Sequence, residues 1–119
     1  MALVSQYGLV NGAGGAGSRA NSGIAYTVPV GQIFLCTELA ASTIETAGSV
    51  VHLTTGAGGG VAANDVAVMN MLIGVNPTEQ LIFSTPIQFA AGTVVTIDTT
   101  QITGGAGDID YVGFRGYTK

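Results

Sequence analysis

The chain has 119 residues but only ten charged ones, seven Asp/Glu and three Lys/Arg, giving a net charge of −4, while 47% of its residues are hydrophobic. A soluble domain usually carries about 25% charged residues, so this composition points to a subunit whose surface is largely covered in an assembly. The acidic balance argues against nucleic acid and anionic membrane partners, no apolar run is long enough for a spanning helix, and a single cysteine, Cys36, excludes an intrachain disulfide.

The length predicts one domain. Short apolar segments rich in Val and Ile, bounded by Gly, Asn, Asp or Pro, predict strands joined by tight turns, with little or no helix. The first strand is expected at Leu3 to Val10, followed by the glycine run Gly12 to Gly17 as a loop. Ile24 to Val28 comes next and ends at the turn signal Pro29-Val30-Gly31. Gln32 to Ala40 follows. Ser49 to Thr55 alternates, with Val51, Leu53 and Thr55 on one face. Gly56 to Gly60 is a second glycine loop.

Val66 to Ile73 is apolar on both faces and reads as a central strand buried on both sides. Asn76-Pro77 marks a turn. Gln80 to Phe89 is interrupted by Pro86, which marks a bend, a bulge or an edge. Ala91-Gly92 turns the chain into Thr93 to Thr99. Gly104 to Gly107 is the third glycine loop, and Asp108 to Tyr117 closes the chain. The expected fold is an all-β, single-domain β-sandwich of about eight strands, jelly-roll-like. An immunoglobulin-like sandwich is the runner-up, without its Cys…Trp…Cys hallmark. The expected organisation is residues 1–23 as an N-terminal arm or first strand with its glycine-rich loop, and residues 24–119 as the sandwich body.

Few residues invite chemistry. Gly12 to Gly17 matches G-x-G-x-x-G, but the turn-rich Ser18 to Gly23 that follows cannot supply the helix a dinucleotide site needs. Cys36 and His52 are the only residues of their types. They could pair as a thiolate dyad, but both fall within predicted strands, where a buried, inert thiol is the commoner outcome. Asp108 and Asp110 after a glycine loop could ligate Ca²⁺; turn-forming, solubilising acids are the plainer reading. No enzyme activity, metal or cofactor is therefore expected. The start, Met1 to Tyr7, lacks the basic and apolar regions of a signal peptide, so none is expected.

Two stretches suggest contact surfaces instead. In the last strand Tyr111, Arg115 and Tyr117 share one face, and Tyr and Arg are enriched at interface centres. The segment Ala2 to Val10 is mostly apolar and precedes a glycine tether, which suits an arm that docks by strand addition. The candidate interface residues are Leu3, Val4, Tyr7, Leu9, Tyr111, Arg115 and Tyr117.

Four stretches resemble the small decoration, or cement, proteins of tailed-bacteriophage heads. They are Pro29-Val30-Gly31-Gln32-Ile33-Phe34-Leu35, Thr85-Pro86-Ile87-Gln88-Phe89, Gly92-Thr93-Val94-Val95-Thr96-Ile97-Asp98 and Asp110-Tyr111-Val112-Gly113-Phe114-Arg115-Gly116-Tyr117. The resemblance spans residues 24–117; the glycine run Gly12 to Gly17 departs from the most compact members. It implies a small jelly-roll-like fold and a homotrimer that bridges major capsid proteins on the outside of an assembled capsid. It also implies a virion location after assembly in the host cytoplasm. The alternative is a tail or fibre β-sandwich module that binds host glycan or another virion protein.

Overall fold

A computed structural model of the chain describes residues 1–11, 23–43, 49–55, 66–73, 78–101 and 109–119. The described residues form eight strands: β1 (Ala2–Asn11), β2 (Ile24–Thr27), β3 (Phe34–Thr43), β4 (Ser49–Thr55), β5 (Val66–Ile73), β6 (Thr78–Phe89), β7 (Val94–Gln101) and β8 (Ile109–Thr118). They make two four-stranded sheets, β1-β8-β3-β6 and β2-β7-β4-β5, with every neighbouring pair antiparallel.

The order has a simple origin. β1 pairs with β8, β2 with β7, β3 with β6 and β4 with β5, so the chain is one long antiparallel hairpin with its tip between β4 and β5. Successive strand pairs fall in alternate sheets, and the rolled hairpin closes through the β3–β8 and β4–β7 ladders. This is a jelly roll, which holds its two sheets together with few exposed edges. The order differs from the immunoglobulin arrangement.

Strand alternation divides the side chains between core and outside. In β8, Val112 and Phe114 are fully buried, while Tyr111 and Arg115 are exposed. Phe34 of β3 lies at the centre of the core. Its ring stacks on Phe89 at 6.0 Å, tilts against Phe114 at 5.7 Å and meets Tyr26 edge-on at 5.3 Å. Val51 and Leu53 of β4 and Val95 and Ile97 of β7 supply the opposing sheet's side of the core.

β3 departs from strict alternation at one point. Its register against both neighbours shifts between Cys36 and Glu38. Thr37 is the extra residue, and its hydroxyl donates to the Arg115 carbonyl at 3.1 Å. The bulge moves the strand's phase by one residue, so that Leu39 and Ala41 face the core and Glu38 faces out. Across the same point on β6, residues 83–86 oppose Thr37 alone. Pro86 therefore sits in a bulge on an edge strand, where a missing N–H costs no ladder hydrogen bond.

Two tight turns are set by glycine. Gln32 N–H donates to the Pro29 carbonyl at 3.2 Å and Thr93 N–H to the Ala90 carbonyl at 3.1 Å. Gly31 and Gly92 hold φ of 78° and 81° at the third positions of these turns, as type II turns require. A Cβ at Gly92 would meet nothing within 4 Å, so only the backbone conformation opposes a side chain there. Gly92→Ala is expected to cost about 1 kcal/mol, read as a small drop in melting temperature with the fold retained. An unchanged melting temperature would mean that the turn relaxes freely.

One expectation is corrected by this topology. β5 lies at the edge of its sheet rather than at its centre. A run that is apolar on both faces reports hydrophobicity, and sheet order is decided by which strands pair. The segment Ala2–Asn11 is joined to β8 over ten consecutive residue pairs, the pairing of a first strand.

Candidate functional site

The outer face of the β1-β8-β3-β6 sheet gathers most of the residues singled out from sequence. Register places them in four rows: Leu3, Tyr117, Leu35 and Gln88; Ser5, Arg115, Glu38 and Ile82; Tyr7, Gly113, Ala40 and Gln80; Leu9, Tyr111, Ser42 and Thr78. Leu3, Leu9, Ile82 and Tyr111 are 89%, 62%, 67% and 47% exposed. Single exposed apolar residues are ordinary; four of them on one sheet face make it the candidate contact surface.

Of the seven sequence-derived interface residues, Leu3, Tyr7, Leu9, Tyr111, Arg115 and Tyr117 share this face. Val4 does not. It has the opposite parity on β1 and is buried in the core, where it helps to close the sandwich. An apolar segment read as an arm offers all its side chains to a partner, whereas a paired strand gives half of them to its own core.

The middle of the face is ordered by a polar cluster. The Arg115 guanidinium reaches Glu38 Oε1 at 3.2 Å through Nη2, and its Nε–H donates to the Tyr7 hydroxyl at 3.4 Å. The Tyr7 hydroxyl donates to Glu38 Oε1 at 3.3 Å. The hydrogen bond to Tyr7, followed by the charge of Glu38, raises the Arg115 pKa above its already high ordinary value, so the cation persists at any working pH. Arg115 is more than half exposed while Glu38 is largely covered. The pair neutralises the Glu38 carboxylate and fixes the Tyr7 ring.

Tyr7 does more than bond. Its ring lies over Gly113, the residue directly across the ladder, where a Cβ would collide with the ring. It also stacks against Tyr111 with centroids 6.2 Å apart and planes at 10°. An aromatic ring covering a cross-strand glycine protects backbone that would otherwise lie open. Between these rings and β3 lies a recess of about 200 Å³ lined by Tyr7, Ala40, Ala41, Ser42 and Tyr111. Glu38, Ala40 and Ser42 were not singled out from sequence. Their signal was the apolar spacing Phe34, Cys36, Leu39, Ala41, in which a skipped step announces the bulge that turns Glu38 outward.

The other candidates are not brought together. Cys36 belongs to the core of the first sheet. Burial pushes its thiol up to about 11, and its Sγ sits 3.7 Å from the Glu38 carbonyl. His52 alternates with the buried Val51 and Leu53 and so lies on the outer side of the other sheet, with Nε2 at 2.7 Å from Thr100 Oγ1. Cys36 thus points into the sandwich from one sheet and His52 points out of it from the other, so the two do not meet. Among the described residues no three His, Cys, Asp or Glu side chains converge as a metal ion requires. The glycine run Gly12 to Gly17, Asp108 and the side chain of Asp110 lie outside what the structure describes.

No family model and no curated protein matches the chain.

Proposed function

We propose that this protein is a structural subunit of a virus particle that docks the outer face of its β1-β8-β3-β6 sheet onto an assembled capsid and bridges major capsid proteins. The observation that carries the reading is that face: Leu3, Leu9, Ile82 and Tyr111 stand exposed around one neutralised ion pair. A jelly roll serves capsid proteins, but it also serves lectins and enzymes. The fold is therefore compatible with this role, and the face is what favours it. Phage decoration proteins, which the sequence resembles in four stretches, are the class that such a subunit would join.

The mechanism needs no chemistry. A protein that binds the closed shell and not its separated subunits stabilises the shell by mass action. Many copies on a lattice turn modest contacts into a large total.

The test is a double substitution on the face. Tyr111→Ala with Tyr117→Ala should weaken docking onto particles stripped of the protein by about tenfold or more, as for aromatic residues at interface centres. Its melting temperature should fall by no more than about 5 °C, since Tyr111 is half exposed and neither ring belongs to the central aromatic cluster. Unchanged docking would remove this face from the interface. A copy number in the tens per particle, together with retention on a glycan array, would move the assignment to a tail or fibre module.

A further inference from the structure

We infer that the free edge of β1 pairs with β1 of a second copy, in antiparallel register about a two-fold axis through Gln6, and joins two sandwiches through one continuous eight-stranded sheet. This inference concerns how copies meet and stands independently of the capsid reading.

The argument begins with the edges of that sheet. β6, at one end, is broken by Pro86 and by the four-residue bulge at residues 83–86, devices that block strand addition. β1, at the other end, has β8 on one side and no strand on the other among the described residues. It has no charged residue and no proline from Ala2 to Asn11. Its ladder with β8 runs without a register shift. An uncharged edge of this length presents a row of N–H and C=O groups that no described strand pairs and that a second strand can satisfy.

The side chains then select the occupant. Leu3 and Leu9 lie three residues either side of Gln6. An antiparallel pair centred on Gln6 sets Leu3 of one copy against Leu9 of the other, twice, on the outer face. Both leucines are largely exposed in the single chain, and this register packs one flank of each against the other while leaving them on the outer face. The same register sets Ser5 against Tyr7, a small side chain beside a large one. On the inner side Val4 meets Gly8, and Ala2 meets Val10. No like charges meet, because the strand has none. The edge is complementary to itself, as an isologous contact requires. The axis stands normal to the sheet, so the outer faces of both copies point the same way and form one doubled surface. The product is a dimer, where the phage resemblance implies a trimer.

Light scattering on a sizing column tests this with the full chain and two charged variants. The unmodified protein should run at twice its chain mass of 11.9 kDa. Leu3→Lys with Leu9→Lys places lysine opposite lysine at both contacts, and Leu3→Glu with Leu9→Glu does the same with carboxylates. Each variant alone should lose the dimer and run at the chain mass, with its melting curve retained because both positions are exposed. An equimolar mixture of the two should recover a heterodimer. An unmodified protein at one or three times the chain mass would overturn the inference. Variants that stay dimeric, or a mixture that stays monomeric, would overturn the register about Gln6.

Discussion

Gly116→Ala is expected to lower the melting temperature by roughly 10 °C or more, or to leave the chain unfolded. Gly116 lies two residues from the C-terminal end of β8, between Val4 of β1 and Cys36 of β3. A Cβ there would drive into the Leu35 carbonyl and the Cys36 Cα. The obstacle is backbone on a central ladder, so no side chain can swing aside to relieve it. Room must come from parting β8 and β3, the two inner strands of the sheet. Ordinary overpacking costs about 1–3 kcal/mol, and a clash with fixed backbone belongs at or above the top of that range. In a domain of this size each kcal/mol moves the midpoint by several degrees. Gly92→Ala is the matched control, with a positive φ and open space where Gly116 has neither. A thermal melt of Gly116→Ala within a few degrees of the unmodified protein would show that β3 and β8 do not approach as closely as the structure places them.

Glycine also marks the limit of what the sequence discloses. A glycine within a strand signals a bulge or a close approach, and Gly113 and Gly116 occupy such positions in β8. Nothing local says that one makes room for the Tyr7 ring and the other for the backbone of β3, because both neighbours come from distant parts of the chain. Strand positions were legible because each segment carries its own evidence: Ser49–Thr55 and Val66–Ile73 match their expected limits, and the turns at Gly31 and Gly92 fall at their signals. The shared face of Tyr111, Arg115 and Tyr117 was legible from alternation alone. The Glu38 contact was not, since it depends on a bulge in β3 and on the pairing of strands far apart in sequence. The edge position of β5 was likewise a property of pairing.

The part played by β1 sets the second large effect. Deleting residues 2–10 is expected to abolish cooperative folding. A tethered arm would come away and leave the sandwich intact, but β1 is paired with β8 along its whole length and delivers Val4 and Val10 into the core. Losing those two side chains removes about 3–4 kcal/mol of apolar burial. The deletion also strips the cover from Gly113 and leaves the inner strand β8 as a bare edge, with one side of Val112 and Phe114 open to water. A domain of this kind has only about 5–15 kcal/mol in total to lose. The truncated chain should show no cooperative melt by circular dichroism and should bind a dye that reports exposed apolar surface. A sharp melt near that of the full chain would instead make β1 a dispensable arm. It would also undercut the two-fold pairing through that strand, because an edge that leaves the sandwich so easily cannot hold two copies in register. The two outcomes separate cleanly because the arm and the core strand differ in where Val4 and Val10 go, and in this structure both are buried in the hydrophobic core.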